Sequence, residues 1–348
     1  MKRRSILTAA VCLALTGTLA ACGSSGSTSS GGTASGVGPI GVDFPRSDSD
    51  FWNSYIKYTP RYATELGINL MPATNSQNEV GKLVANAQSL QGQGAKAIVM
   101  APQDTGAIAS TLDRLEKAKI PVVTVDTRPD KGKAYMVVRA DNKAYGEKAC
   151  KFLGDKLGGK GKVVELQGSL SSVNGRDRSE AFAKCMKDNY PGITVFEEPT
   201  DWEGAKASAA LQTRLNQHPD INGIYMQAGG VFLAPTLQVL RQKNLLLPAS
   251  DPKHVSIISN DGIPQEFEAI RKGDIDATVS QPADLYAKWA LFYAKAAVEG
   301  KTFQAGKTDH DSQIVEVGNG QLEDQLPAPL VTKDNVDDKA LWGNQIGQ

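Results

Sequence analysis

The chain has 348 residues, 41% of them hydrophobic, with 38 basic and 38 acidic side chains and four cysteines. A balanced charge without a basic block argues against a nucleic-acid partner. Beyond the N-terminus, no apolar run approaches membrane-spanning length.

Lys2, Arg3 and Arg4 precede a short apolar run that ends at Leu19, Ala20, Ala21 and Cys22. A basic start, a brief hydrophobic stretch and small residues before a cut describe an export signal, too short to persist as a membrane helix. Cys22 resembles the acylated cysteine of a bacterial lipobox, which makes 1–21 the signal and Cys22 the lipidation site and anchors the mature protein on the outer face of the cell membrane. The alternative is an ordinary signal with an incidental cysteine. Removing 1–21 takes three basic residues and no acidic ones, leaving the mature chain slightly acidic. The segment 22–38 is nearly all Gly, Ser, Thr and Ala and reads as a flexible tether. About 310 residues remain, more than one core usually supports, so two lobes are expected.

From Ile40 to Gly300, short apolar runs alternate with amphipathic stretches, the pattern of parallel sheets covered by helices. Strands are expected at 40–44, 68–72, 97–101, 122–126 and 136–138, then at 163–167, 193–196, 223–227, 255–259 and 277–280. Two such series predict an α/β protein of two doubly wound parallel-sheet lobes. Ile314–Val317 reads as a further strand, and Pro329–Thr332 as a segment crossing between lobes. Cys150 and Cys185 flank the strand at 163–167 and suit a disulfide in an exported protein; two separate buried thiols are the alternative.

Several patterns carry no chemistry. Gly36–Gly41 satisfies the dinucleotide-binding spacing but precedes the first strand instead of following it. His218, His254 and His310 have no spaced partners and there is no Cys-x-x-Cys, so neither a metal nor a cofactor is called for. No Gly-x-Ser-x-Gly elbow occurs.

Ligands of such sheets bind outside the carboxyl ends of the strands. There the chain places Phe51 and Trp52, Asp126, Arg178, Trp202, Asp261 and Gln281. Aromatic rings stack on the C–H faces of a sugar, and carboxylates, guanidinium and amide pair with its hydroxyls. Each has a structural alternative: core packing for Phe51 or Trp52, which as neighbours on a helix are not expected both to face the core; packing under a loop for Trp202; helix caps for Asp126 and Asp261; and a surface pair with Asp177 or Glu180 for Arg178. Asp141 and Asn142 read as a cap and a turn at the lobe crossover.

The blocks 40–52, 120–126, Glu165–Gly168 followed by Arg178 and Phe182, Asn260–Gly262 and 277–281 resemble the ribose and galactose group of type I periplasmic binding proteins, in order over about 39–300. That resemblance implies two lobes joined by a three-segment hinge and closing over one monosaccharide: 39–140 with about 282–312 as the N-terminal lobe, 141–281 with about 313–335 as the C-terminal lobe, and 336–348 as a tail. It implies that Phe51 and Trp52 stack on one face of the sugar and Trp202 on the other, with Asp126, Arg178, Asp261 and Gln281 as polar contacts. Departures stand out: Thr127 follows Asp126 where many members have Arg, with Arg128 one place on; Ala101 replaces a common Asn; and Ala228, Gly229 and Gly230 occupy an Asn-Asp position. Arg46, Asp48, Gln103 and Arg128 are the candidates for replacement contacts, so a pentose, hexose, alditol or cyclitol fits. The expected role is a monomeric receptor delivering its ligand to an ABC permease. A sensor subunit for a membrane kinase or chemoreceptor is the alternative; a glycosidase using Asp126 and Asp261 is the enzymatic one.

Overall fold

The computed structural model describes residues 37–318 and 320–346. The signal and tether assignments on residues 1–36, Cys22 included, lie outside them. The first lobe begins β1 (Val37–Phe44), α1 (Asp50–Glu65), β2 (Ile68–Leu70), β3 (Thr74–Asn75), α2 (Val80–Gly92), β4 (Ala97–Met100), α3 (Ala109–Lys117), β5 (Val122–Val125) and β6 (Met136–Ala140). The second runs α4 (Asn142–Lys156), β7 (Lys160–Gln167), α5 (Val173–Asn189), β8 (Gly192–Pro199), α6 (Gly204–Gln217), β9 (Gly223–Met226), α7 (Gly229–Gln242), β10 (Ser256–Asp261), α8 (Pro264–Lys272) and β11 (Ala277–Ser280). The chain ends with α9 (Ala283–Val298), β12 (Gly306–Lys307), β13 (Gln313–Val317), β14 (Gln321–Leu326) and β15 (Leu330–Thr332).

The first sheet has the order β12-β13-β14-β6-β5-β4-β1-β2, with β3 also on β1, and the second β15-β11-β10-β9-β7-β8. Pairing is parallel throughout the helix-connected strands; β12 with β13, β13 with β14, and β15 with β11 are antiparallel. β4, β5, β9 and β11 are buried along their whole length, as strands covered on both faces must be. α9 returns from the second sheet to lie on the first beside α1, and its buried Ala283, Ala287, Ala290 and Ala294 allow that approach. The chain thus crosses between lobes after β6, after β11 and after β14.

Three boundaries differ from expectation. β1 starts at Val37, inside the segment read as tether, because Val37 and Ile40 pair with β2. β13 and β14 belong to the first sheet, not to the C-terminal lobe: Glu323 to Leu326 pair with Val137 to Ala140. Only β15 crosses, so the second lobe regains the chain near Leu330. The tail also packs, with Val336 and Leu341 in the second core and the Trp342 ring edge-on to Phe51, 6.1 Å away.

Cys150 on α4 and Cys185 on α5 are joined by a disulfide with Cα atoms 6.1 Å apart. The two helices meet closely at Gly146, where a Cβ would stand 2.3 Å from the Arg178 carbonyl oxygen. The absence of a side chain there seats the Arg178 turn of α5 against α4.

Candidate functional site

A polar cavity lies between the lobes. The first lobe lines it with Arg46, Phe51, Trp52, Gln103 and Asp126, the second with Arg178, Trp202, Asp261 and Gln281. All seven main residues expected from sequence meet here, and the strand ends explain why. Asp126 directly follows β5, Asp261 ends β10 and Gln281 directly follows β11. Asp126, Asp261 and Trp202 have φ of 65°, 125° and 61°. Positive φ is unusual for a bulky residue such as Trp and is retained where surrounding structure enforces it, commonly at ligand sites.

Arg178 is buried at the centre. Its Nε donates to Asn142 Oδ1 at 2.6 Å and its Nη2 to Gln281 Oε1 at 2.7 Å, while Nη1 donates to the Gln227 carbonyl. The guanidinium also lies 5.0 Å from the Tyr145 ring and 5.7 Å from Trp202. It faces the cavity and pairs with neither Asp177 nor Glu180. Asn142, read from sequence as a turn residue, is therefore a support of the site, and Asp141 caps α4 through the amides of Lys143 and Ala144.

The carboxylates are each half-satisfied. Asp126 Oδ2 accepts from Asn174 Nδ2 at 2.9 Å, and its Oδ1 is buried with no protein partner. Asp261 Oδ2 accepts from the Gly230 amide at 2.7 Å. Burial raises Asp126 to about 6 from its ordinary 3.8, against the pull of Arg178, Arg139 and Asn174. Burial also raises Asp261, with Arg178 opposing and Asp126 adding to the rise. Two arginines and two aspartates leave the lining without net charge when all are ionised.

Trp202 rests its ring directly on Gly168, where a Cβ would come within 1.9 Å of it. The ring lies nearly parallel to Phe232 with centroids 6.5 Å apart. Its carbonyl accepts from Arg46 Nη1 at 3.1 Å, a bond between lobes. Thr105 N to Ser171 O, Arg176 to Asp130, and Gln265 to Asp50 also span the lobes. Phe51 and Trp52 are both buried, contrary to the expectation that one helical neighbour points out. The start of α1 is covered on one side by the cavity and on the other by Tyr286 and Trp342.

Two candidate contacts fall outside the cavity. Asp48 is 73% exposed in its side chain and grips Arg46 with both oxygens, at 2.5 and 2.9 Å, so it orients that arginine. Arg128 turns away to Glu323 at 2.9 Å and lies 3.9 Å from Asp177, in a separate groove. Ser49, Thr127, Ser172, Asn174, Ala228 and Val231 complete the lining and were not anticipated. Asn174 had a signal: it precedes Arg178 by four residues, hence shares its helix face.

The family described as "Periplasmic binding protein domain" matches residues 40–302, and the chain belongs to it. The ribose import binding protein of Salmonella typhimurium is 29% identical over 70% of this chain and 79% of its own length. The xylitol-binding protein of Mycolicibacterium smegmatis is 26% identical over 76% and 68%. A solved ABC transporter solute binding protein from Mycobacterium smegmatis with bound glycerol superposes with a TM-score of 0.74 at 27% identity, covering 85% of this chain and 94% of that one. This chain is accordingly a solute-binding protein and not an enzyme.

Proposed function

We propose that the chain is an exported receptor, lipid-anchored through Cys22, that closes its lobes over one uncharged monosaccharide or related polyol and delivers it to an ABC permease. One observation carries the ligand reading: the buried, unpartnered Oδ1 of Asp126 in a cavity walled by Phe51, Trp52 and Trp202. A hydroxyl donating to that oxygen satisfies it, and apolar C–H faces fit the rings. The balanced charge of the lining favours a neutral solute. The relatives named for ribose and xylitol and the glycerol complex support the same chemistry. Contacts contributed by both lobes favour the closed form when ligand is present, the form a permease distinguishes from the empty one.

The test is a thermal-shift screen of residues 23–348 against pentoses, hexoses, alditols and cyclitols, with amino acids and sugar acids as charged controls. A ligand at a hundred times its dissociation constant adds about 2.7 kcal/mol, a readily seen rise in melting temperature. A shift from neutral polyols alone is expected; a shift from charged solutes alone contradicts the reading.

A further inference from the structure

Arg139, at the end of β6, does not line the cavity, yet it is 1% exposed and stands one bond removed from the ligand site. Its Nη2 donates to Asn174 Oδ1 at 2.7 Å. Asn174 Nδ2 in turn donates to Asp126 Oδ2 at 2.9 Å. The orientation of the carboxamide is dictated by this chain: reversed, its NH₂ would face a guanidinium and its oxygen a carboxylate, and both bonds would be lost. Arg139 also donates to Asp177 Oδ2 at 3.2 Å and lies 3.6 Å from Glu323 Oε2, so its planar fork is held from both sides. Asp126 belongs to the first lobe and Asn174 to the second; their bond therefore exists only while the lobes are together. It supplies Asp126 Oδ2 with a donor from the opposite lobe.

We propose that Arg139 is a positioning residue of the ligand site: by fixing the Asn174 carboxamide it makes Asn174 bond across the cleft to Asp126, which leaves Asp126 Oδ1 as the oxygen presented to the ligand and prolongs closure. The inference rests on the polyol-receptor reading for its ligand and on geometry alone for its effect on closure. A merely structural role, as counter-ion to Asp177 and Glu323, predicts something different. Arg139→Lys keeps the charge beside those carboxylates and gives up the fork. Asn174→Ala removes only the carboxamide.

The experiment is stopped-flow tryptophan fluorescence on the mature chain with whichever of D-ribose, xylitol and glycerol binds the wild type, each variant being checked by circular dichroism to be folded at the working temperature. Arg139→Lys and Asn174→Ala are each expected to speed dissociation by roughly tenfold or more, the magnitude of losing a bond to a charged group, with association little changed. Arg139→Lys keeps a cation beside Asp177, the other cross-lobe partner of Arg139, so the double variant should be little faster than Asn174→Ala. Wild-type dissociation in Arg139→Lys, or effects that multiply in the double variant, overturns the inference. If none of the three probes binds the wild type, the polyol reading fails, and small-angle scattering without ligand decides the inference. Both single variants should then show the same increase in radius of gyration, and an unchanged radius overturns it.

Discussion

Arg178→Met is expected to abolish ligand binding and to lower the unfolding free energy by about 3–5 kcal/mol, the usual cost of removing one partner from a buried ionic cluster. The guanidinium satisfies Asn142, the Gln227 carbonyl and Gln281, and it is the largest influence opposing the burial-driven rise of both Asp126 and Asp261. Methionine fills much of the volume and none of these roles. The sign of the pH effect follows. A carboxyl whose folded pKa is raised above its unfolded value destabilises the fold while ionised, and this penalty is relieved as pH falls through the folded value. Asp126 already sits near 6, and without Arg178 both aspartates rise further, so part of the lost stability should return between pH 7.5 and 5.5. Urea unfolding at those two pH values measures it. A variant as stable as wild type at pH 7.5 would show that Arg178 is not the counter-ion of the site.

The double variant Cys150→Ala with Cys185→Ala is expected to lose about 3–4 kcal/mol, from the entropy of opening a loop whose ends are 35 residues apart. The bridge joins α4, which carries Asn142 and Tyr145, to α5, which carries Asn174 and Arg178. Their polar contacts do not depend on sulfur, so the folded variant should still bind ligand. Stability and site chemistry thereby separate: Arg178→Met loses both, whereas the cysteine variant loses only stability. Denaturation of the wild type with and without reductant, alongside the variant, checks this; equal midpoints in all samples contradict it.

Much of this architecture is legible in sequence because a two-sided parallel sheet demands continuous apolar strands such as Ala97–Met100 and Val122–Val125. β14 escapes that logic. Its sequence, Gln321–Leu326, is mostly polar, and its buried Glu323 and Asp324 are met by Arg128, Arg139, Tyr293, His310 and Ser312 from other segments, with Gln325 of the same strand also donating to Glu323. A boundary expected at 313 therefore falls too early, since polar β14 pairs with β6 of the first sheet. The site was legible where side chains follow strand ends, as for Asp126, Asp261 and Gln281. It was less so where a loop sets direction: Arg46 enters the cavity because Asp48 holds it from outside, and Arg128 leaves because Glu323 attracts it. Asn174 could be found by helical spacing from Arg178; its link to Arg139 required the fold.

The central claim is that one neutral polyol binds between the lobes against Asp126 and Trp202. Calorimetric titration of the strongest polyol found by thermal shift tests it most directly, using the wild type, Asp126→Ala and Trp202→Ala. One site per chain is expected, with affinity weakened at least about tenfold in each variant, as loss of a charged hydrogen bond or of a buried ring requires. Unchanged affinity in both variants would place the ligand elsewhere and contradict the account.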